Sequence, residues 1–410
     1  ALNEKNTHLF RFYRNKVNRE RKLCREKYYQ VKVKKLNNQN PKNWWNECKR
    51  LCGMSNPKKD ILAKLLPEDS QTLEEKTNLA NKINSIFLEP QQAYEPLNRN
   101  KRLDSTNAMP PIITTETVFS LLNKINTNKS NGPDNIPNWV LKEYASILAV
   151  PVTSLINSSL NEQTLPQIWK SADVTPIPKN SQVETISNDL RPISLTPTLS
   201  KIAEDYIVHV HVKPAVLEQI GKDQYGCIPH SSTSHALINM IHQWTKATDG
   251  TGASVRVFVL DYKKAFDLID HNILIDKLSM YKINPFVVNW ICDFLSNRHQ
   301  RVKLAKDCFS EWKTVPAGVP QGTKLGPWLF IIMINDLEVT SSDGVFKYVD
   351  DTTTHEIVKK GEDSQAQTLL DEINDWSIAN KFHLHPQKCK ELRISFTRDD
   401  VSYEDVSIDQ

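Results

Sequence analysis

Glycine is scarce in this chain, 11 residues among 410, where an average protein carries about 7%. A chain so poor in its most permissive residue is expected to spend it where the backbone requires it. Three of the eleven, Gly318, Gly322 and Gly326, fall within nine residues of one another. Cysteine is limiting in another way. The seven present have no disulfide-like spacing, and Cys48 and Cys52 form a C-x3-C with no second pair at zinc-site distance. That excludes a disulfide framework and a zinc ribbon and points to a reduced, intracellular chain. Long apolar runs are missing too: the longest, residues 328–334, falls far short of the roughly 20 residues of a membrane-spanning helix. There is no secretory signal, Walker-type phosphate loop, dinucleotide fingerprint or internal repeat. Because it begins with Ala1 rather than Met, the chain is expected to be a piece of something longer.

Charge is plentiful and unevenly placed. The net +4 conceals +12 on residues 1–60, where 17 Lys and Arg face 5 Asp and Glu, and −8 on the rest. Residues 10–36 mix aromatic and basic side chains at helical spacing, and Trp44, Trp45 and Leu51 continue an amphipathic pattern to about Gly53. Such an arm suits stacking on bases with phosphate contact. It equally suits a solvated helix or one docked on a neighbour. Residues 61–111 read as a helix over 73–87 followed by a polar linker over 89–111, rich in Pro, Asn and Gln. From Ile112 the chain is denser, with helices expected over 115–123, 139–149, 152–161 and 200–212 and a strand over 172–177. The expected division is a basic helical extension (1–60), a helix and linker (61–111), and two further regions, 112–253 and 254–410.

Three stretches carry the chemistry. Residues 345–351, V-F-K-Y-V-D-D, alternate like a strand and end on two carboxylates, after which a threonine-rich strand returns. Alone, Asp350 and Asp351 read as ordinary turn residues. Residues 254–267, S-V-R-V-F-V-L-D-Y-K-K-A-F-D, form an apolar strand that delivers Asp261 at its carboxyl end. A charge there is costly unless it is paired or binds a cation. Asp267 or Asp270 fits the cap of a following helix, but Asp261 comes too early for that. If this strand lies beside the hairpin, about 4.8 Å away, Asp261, Asp350 and Asp351 converge. They would then repel one another unless divalent cations neutralise them, as in phosphoryl-transfer sites. An EF-hand reading fails, because the turn glycine and terminal Glu are missing. The third stretch, residues 316–330, P-A-G-V-P-Q-G-T-K-L-G-P-W-L-F, is a constrained loop leading into an apolar helix over about 325–337. Its glycines would let a flat ligand approach the backbone, and Gln321 offers a donor and an acceptor. The plainer reading is a helix start with ordinary turn residues.

In this order, F-V-L-D-Y-K-K-A-F-D, G-V-P-Q-G-T-K-L-G-P and F-K-Y-V-D-D resemble three core motifs of reverse transcriptases. More narrowly, residues 112–396 are similar to the polymerase of non-LTR (LINE-type, jockey-like) retrotransposons, and the basic arm resembles the connector after their endonuclease. The resemblance implies an α+β right-hand polymerase. Fingers, with part of the palm, would occupy 112–253 and an antiparallel palm sheet 254–410, with no thumb before Gln410. It implies an RNA-directed DNA polymerase that extends a primer 3′-hydroxyl with dNTPs. Its partners would be an RNA template, a DNA primer and an endonuclease domain outside this chain, with no membrane. Its cofactors would be two Mg²⁺ ions, Mn²⁺ being the alternative. Its place would be the nucleus and cytoplasm, as a ribonucleoprotein.

Residue by residue, Asp261, Asp350 and Asp351 match the metal-binding carboxylates. Ala265 and Phe266 match the nucleotide-binding turn, Phe266 as the aromatic gate against a ribose 2′-hydroxyl. Gln321 and Gly322 match the loop along the incoming nucleotide. Arg191, in L-R-P-I-S, matches the arginine that clamps the triphosphate, and Lys179 a second phosphate contact. In N-K-F-H-L-H-P-Q-K-C-K, Lys388 matches the lysine that protonates departing pyrophosphate, with Lys390 as the alternative. One motif departs: Q-Y-G-C-I-P-H-S-S-T, residues 224–233, lacks the basic residues the family often carries there. With no thumb expected, an inactive RNA-binding remnant of the fold is the alternative from another class. An RNA-dependent RNA polymerase is the rival among enzymes, and Phe266 argues against it.

Overall fold

Periodicity in the sequence becomes a mixed α+β architecture. The computed structural model describes residues 4–36, 44, 45, 49, 52, 65, 72–179, 183–305, 307–396 and 403–408, and the chain forms two units, residues 1–63 and 64–410. The first unit carries helix α1 (Glu4–Leu36), 33 residues long. Lys, Arg and Glu, all good helix formers, supply 15 of its 33 residues. Phe10, Phe12, Tyr13 and Tyr28 are exposed along it, and the Arg25 guanidinium lies 5.7 Å over the Tyr29 ring. Of the amphipathic pattern expected from Trp44 to Gly53, Trp44 and Trp45 are exposed, and Leu51 and Gly53 lie outside the described residues.

In the second unit, α2 (Leu73–Leu88) opens with a capping box in which Thr72 and Glu75 satisfy each other's backbone N–H groups. It is followed by α3 (Thr115–Asn123), α4 (Ala145–Glu162), α5 (Thr198–Ile207), α6 (Thr233–Thr248), α7 (His271–Ser279), α8 (Pro285–Leu295), α9 (Gly326–Ile334) and α10 (Ala366–Ala379). Helix α4 continues through Pro151, where the sequence suggests a break. Pro151 and Ile147 lie on the exposed side, so water can reach the carbonyl that the proline leaves unbonded.

The strands are β1 (Ser171–Pro178), β2 (Leu190–Leu195), β3 (Ser254–Leu260), β4 (Arg298–Ala305), β5 (Cys308–Phe309), β6 (Lys313–Val315), β7 (Gly344–Tyr348), β8 (Asp351–Val358) and β9 (Lys390–Ser395). One sheet has the order β2-β1-β4-β5 with β6 also on β4, and the other the order β7-β8-β3-β9. The second sheet is antiparallel throughout. Its register, with Leu260 opposite Thr352 and Tyr348 opposite Asp351, brings the ends of β3, β7 and β8 together. Helix α9 is apolar all round, and every residue but Pro327 is buried, as a helix in the middle of a core must be.

Residues 89–111, expected as a linker, are instead a strap laid over α7 and α8. Asn98 N donates to Asn272 Oδ1 at 2.8 Å. Leu103 satisfies both its backbone groups on the Asn289 side chain, at 2.7 and 2.9 Å. Tyr94 Oη donates to the Lys381 carbonyl at 2.9 Å. The polar composition reads as solvent-loving, but buried backbone must find partners, and here the partners are asparagine side chains on packed helices.

Candidate active site

Strand β3 ends at Leu260 and delivers Asp261 beside the β7–β8 hairpin. Because Tyr348 pairs with Asp351, the turn itself is only Val349 and Asp350. Two-residue hairpins match the twist of their strands when the first turn residue takes a positive φ. Val349 does so, at φ +62°, an uncomfortable region for a β-branched side chain. Asp351 is therefore the first residue of β8 and not part of the turn.

The three carboxylates feel one another. Burial raises the Asp350 carboxyl, the charges of Asp351 and Asp261 raise it further, and Arg191 opposes them. Burial, then Asp261, raises Asp351. Among the described residues, no three His, Cys, Asp or Glu side chains form a ready-made metal cage. The donor set is hard oxygen, and Asp261 and Asp351 are partly exposed. That fits a hard divalent cation whose remaining shell is filled by water and substrate oxygens.

Cations face this cluster. Lys388 Nζ lies 3.4 Å from Asp261 Oδ2, its segment pinned by the His385 N–H on the Asp261 carbonyl at 2.8 Å. Lys390, the alternative, begins β9 opposite Val259 and lines a cleft with Phe258, Leu260 and Asp405. Arg191 pairs with Ile177 across β1 and β2, and the Lys179 N–H caps the Asp189 carbonyl at 2.8 Å. Burial lowers the Lys179 amine, and the charges of Lys388 and Arg191 lower it further. Three cations that repel one another suit a polyanion.

The loop before α9 zips onto the turn after β3. Gly318 N donates to the Ile269 carbonyl and Val319 N to that of Phe266, each at 2.8 Å. A Cβ on Gly318 (φ +79°) would lie 2.5 Å from the Asp267 carbonyl oxygen, and one on Gly322 (φ +115°) 2.8 Å from that of Ser194. The protein's own backbone thus already crowds both positions enough to demand glycine. Gln321 donates through Nε2 to Asp267 Oδ1 at 2.9 Å, and its carbonyl accepts from Ser194 N at 2.8 Å. The Phe266 ring is half-buried and stacks on Phe330 of α9, centroids 4.6 Å apart at 20°. The Ala265 side chain is buried in the core. Only its backbone is left to meet a nucleotide, so the methyl group is no part of a binding surface.

Four residues of this neighbourhood escape the sequence reading. Asp267 looks like a helix cap, but Asp270 is the cap, accepting from Asn272 N and Ile273 N. Glu204, fully buried, accepts from Lys324 N at 2.7 Å and Leu325 N at 3.3 Å at the start of α9. Lys347, in the apparently amphipathic V-F-K-Y, is 1% exposed and donates to the Leu337 carbonyl at 3.1 Å just past the end of α9. Gln224 is buried beside the Val349–Asp350 turn. A buried charge or amide at a chain crossing has no signal in one sequence.

Comparison with known proteins gives the family. A profile of the family described as "Reverse transcriptase (RNA-dependent DNA polymerase)" matches residues 177–403. The "RNA-directed DNA polymerase from mobile element jockey" of Drosophila melanogaster is 28% identical over 362 residues, covering 84% of this chain and 39% of that protein. The "Probable RNA-directed DNA polymerase from transposon BS" of the same species is 29% identical over 231 residues, 55% of this chain and 25% of the other. A "Retrovirus-related Pol polyprotein from type-1 retrotransposable element R2" of Popillia japonica is 24% identical over 173 residues, 42% of this chain and 24% of its own length. The chain thus spans about two fifths of the length of its jockey relative (39%). With the profile covering all three motifs and more than half of the residues, the chain belongs to the reverse transcriptase family.

Proposed function

We propose that this chain is the fingers and palm of an RNA-directed DNA polymerase from a LINE-type element, copying the element's RNA within a ribonucleoprotein of the nucleus and cytoplasm. The observation that carries the reading is the convergence from two sheets of Asp261, Asp350 and Asp351 with Lys388 and Arg191, and of Lys179 with those two cations. Acid for cations on one side and base for phosphates on the other is what nucleotidyl transfer requires.

Each group then has a task. The carboxylates would hold two Mg²⁺ ions, which when bound activate the primer hydroxyl and offset charge on the phosphates. Arg191 offers a planar fork to the triphosphate and Lys179 a point charge. Lys388 supplies a proton to departing pyrophosphate. Its pair with Asp261 is between exposed side chains, 57% and 40% accessible, so it is worth only about 0–1 kcal/mol and exchanges readily. Phe266, braced by Phe330, stands where a 2′-hydroxyl would meet the ring edge, which supports a preference for deoxynucleotides. Template sequence is read by base pairing and not by side chains.

Primer extension on an RNA template with Mg²⁺, comparing dNTPs with NTPs, tests the proposal. Metal-dependent addition of dNTPs is expected. Binding of RNA with no extension would favour the inactive remnant, and preferred addition of NTPs the RNA polymerase.

A further inference from the structure

The stretch 224–233, left without a template role by its lack of basic residues, has its first residues against the strand that ends in the catalytic turn. Residues 223–226 run along the free edge of β7. Lys347 N donates to the Asp223 carbonyl at 2.7 Å and Tyr225 N to the Lys347 carbonyl at 2.8 Å. Lys347 Nζ also pairs with Asp223 at 2.7 Å. Between these contacts Gln224 is 5% exposed. Its Oε1 accepts from Gly226 N at 2.8 Å and from Val349 N at 3.1 Å. Val349 is the residue at φ +62° that precedes Asp350. Gly226 makes the approach possible, since a Cβ there would lie 2.5 Å from Val349 Cγ2 and 2.6 Å from Val349 N. Gln224 Nε2 is buried and unpartnered, so neither end of this amide is presented to RNA.

We propose that Gln224 is the positioning residue of the catalytic turn: its amide oxygen holds Val349 in the left-handed conformation from which Asp350 faces the reacting atoms. A β-branched residue leaves that region readily unless its surroundings over-determine it. Without the acceptor, the Val349 N–H would be left unpaired in a partly buried turn. Release of the turn displaces Asp350 and leaves the nucleotide and RNA contacts of other elements in place. The catalytic half of this inference rests on the role proposed above for Asp350, while the structural half stands by itself.

Gln224→Met keeps the size of the side chain and removes the acceptor; Gln224→Glu keeps the acceptor. Hydrogen exchange of the peptide spanning 345–351 in the free protein reads the clamp directly, and steady-state extension reads its consequence. For Gln224→Met, exchange in that peptide is expected to quicken about tenfold, with other segments unchanged. The kcat falls about tenfold or more, while KM for dNTP and RNA affinity stay within about threefold. Gln224→Glu keeps the acceptor, so exchange in that peptide stays near wild type. In a Val349→Gly background the Met penalty shrinks, because glycine takes the positive φ unaided.

Unchanged exchange in Gln224→Met overturns the clamp. Faster exchange with unchanged kcat overturns its link to catalysis. Lost RNA affinity with kcat retained restores the template role and overturns the proposal. Should the Met variant fail to fold, exchange of the same peptide in Gln224→Glu decides, and a quickening of about tenfold there with the acceptor kept overturns the clamp. If wild type extends no primer, the polymerase reading falls, and exchange alone still decides whether Gln224 holds the turn.

Discussion

Gln321 hands its amide N–H to Asp267, at 2.9 Å, so a carboxylate from the turn after β3 orients the loop before α9. Burial pushes that carboxyl up from 3.8 to about 6, against the Gln321 hydrogen bond and the charges of Lys264 and Lys179. The folded protein therefore holds the proton more tightly than the unfolded chain. This contribution is full below about pH 4 and is lost as pH rises through about 6. Asp267→Asn keeps an acceptor for Gln321 and removes the charge. It is expected to stabilise the protein by an amount on the order of 1–3 kcal/mol at about pH 8, and not at about pH 4. Thermal melts at both values check this; an equal shift at both would count against it.

Asp350 is disfavoured in the free protein by burial and by its two acidic neighbours. Asp350→Asn should relieve that repulsion and remove a metal ligand at once. Extension falls by roughly a thousandfold or more, while the Tm near neutral pH holds or rises. A variant that copies RNA at the wild-type rate would remove Asp350 from the catalytic set.

Phe266 stacks on Phe330 and, under the proposed function, also faces the nucleotide site. Phe266→Val should admit ribonucleotides, raising GTP incorporation relative to dGTP by about tenfold or more. It should also lower stability by roughly 1–3 kcal/mol through the missing ring stack and a partial cavity. Single-nucleotide insertion with both substrates, together with a denaturant melt, separates the two effects. Unchanged selectivity with lower stability would leave Phe266 as a core residue only.

Deleting residues 1–60 removes a charge of +12. RNA binding should weaken and its salt dependence flatten, by about 0.7 in slope for each single-strand phosphate that the arm neutralises. A slope that does not change would make the basic arm an ordinary solvated helix.

Legibility in the sequence followed the physics of each signal. Helix α3 runs Thr115–Asn123 as its apolar spacing suggests, and β3 and the β7–β8 hairpin follow from alternation and paired turn residues. The meeting of Asp261 with Asp350 and Asp351 was readable because each ends an apolar run, and an apolar run must be buried beside another. Scarcity marks Gly318 and Gly322 in the sequence, but the Asp267 and Ser194 carbonyls that crowd them lie far off in the chain and leave no signal. The strap over 89–111 was misread because composition reports polarity and not who satisfies it. Gln224 and Glu204 were invisible, since their partners lie 125 and 120 residues away in the chain.

Helix α9 is gripped at both ends by buried charge. Glu204 holds the N–H groups at its start. Lys277 and Lys347 donate to the Met333 carbonyl at 2.7 Å and the Ile334 carbonyl at 3.4 Å at its end. The first clamp adjoins Gly322, and Lys347 belongs to the strand that ends in Val349 and Asp350. The helix therefore works as a ruler between the Gly322 loop and the turn of Val349 and Asp350, graduated in steps of about 1.5 Å and 100° per residue. Its side chains can be exchanged for others of like volume. Its length cannot change by one residue without moving one end of the site out of register with the other.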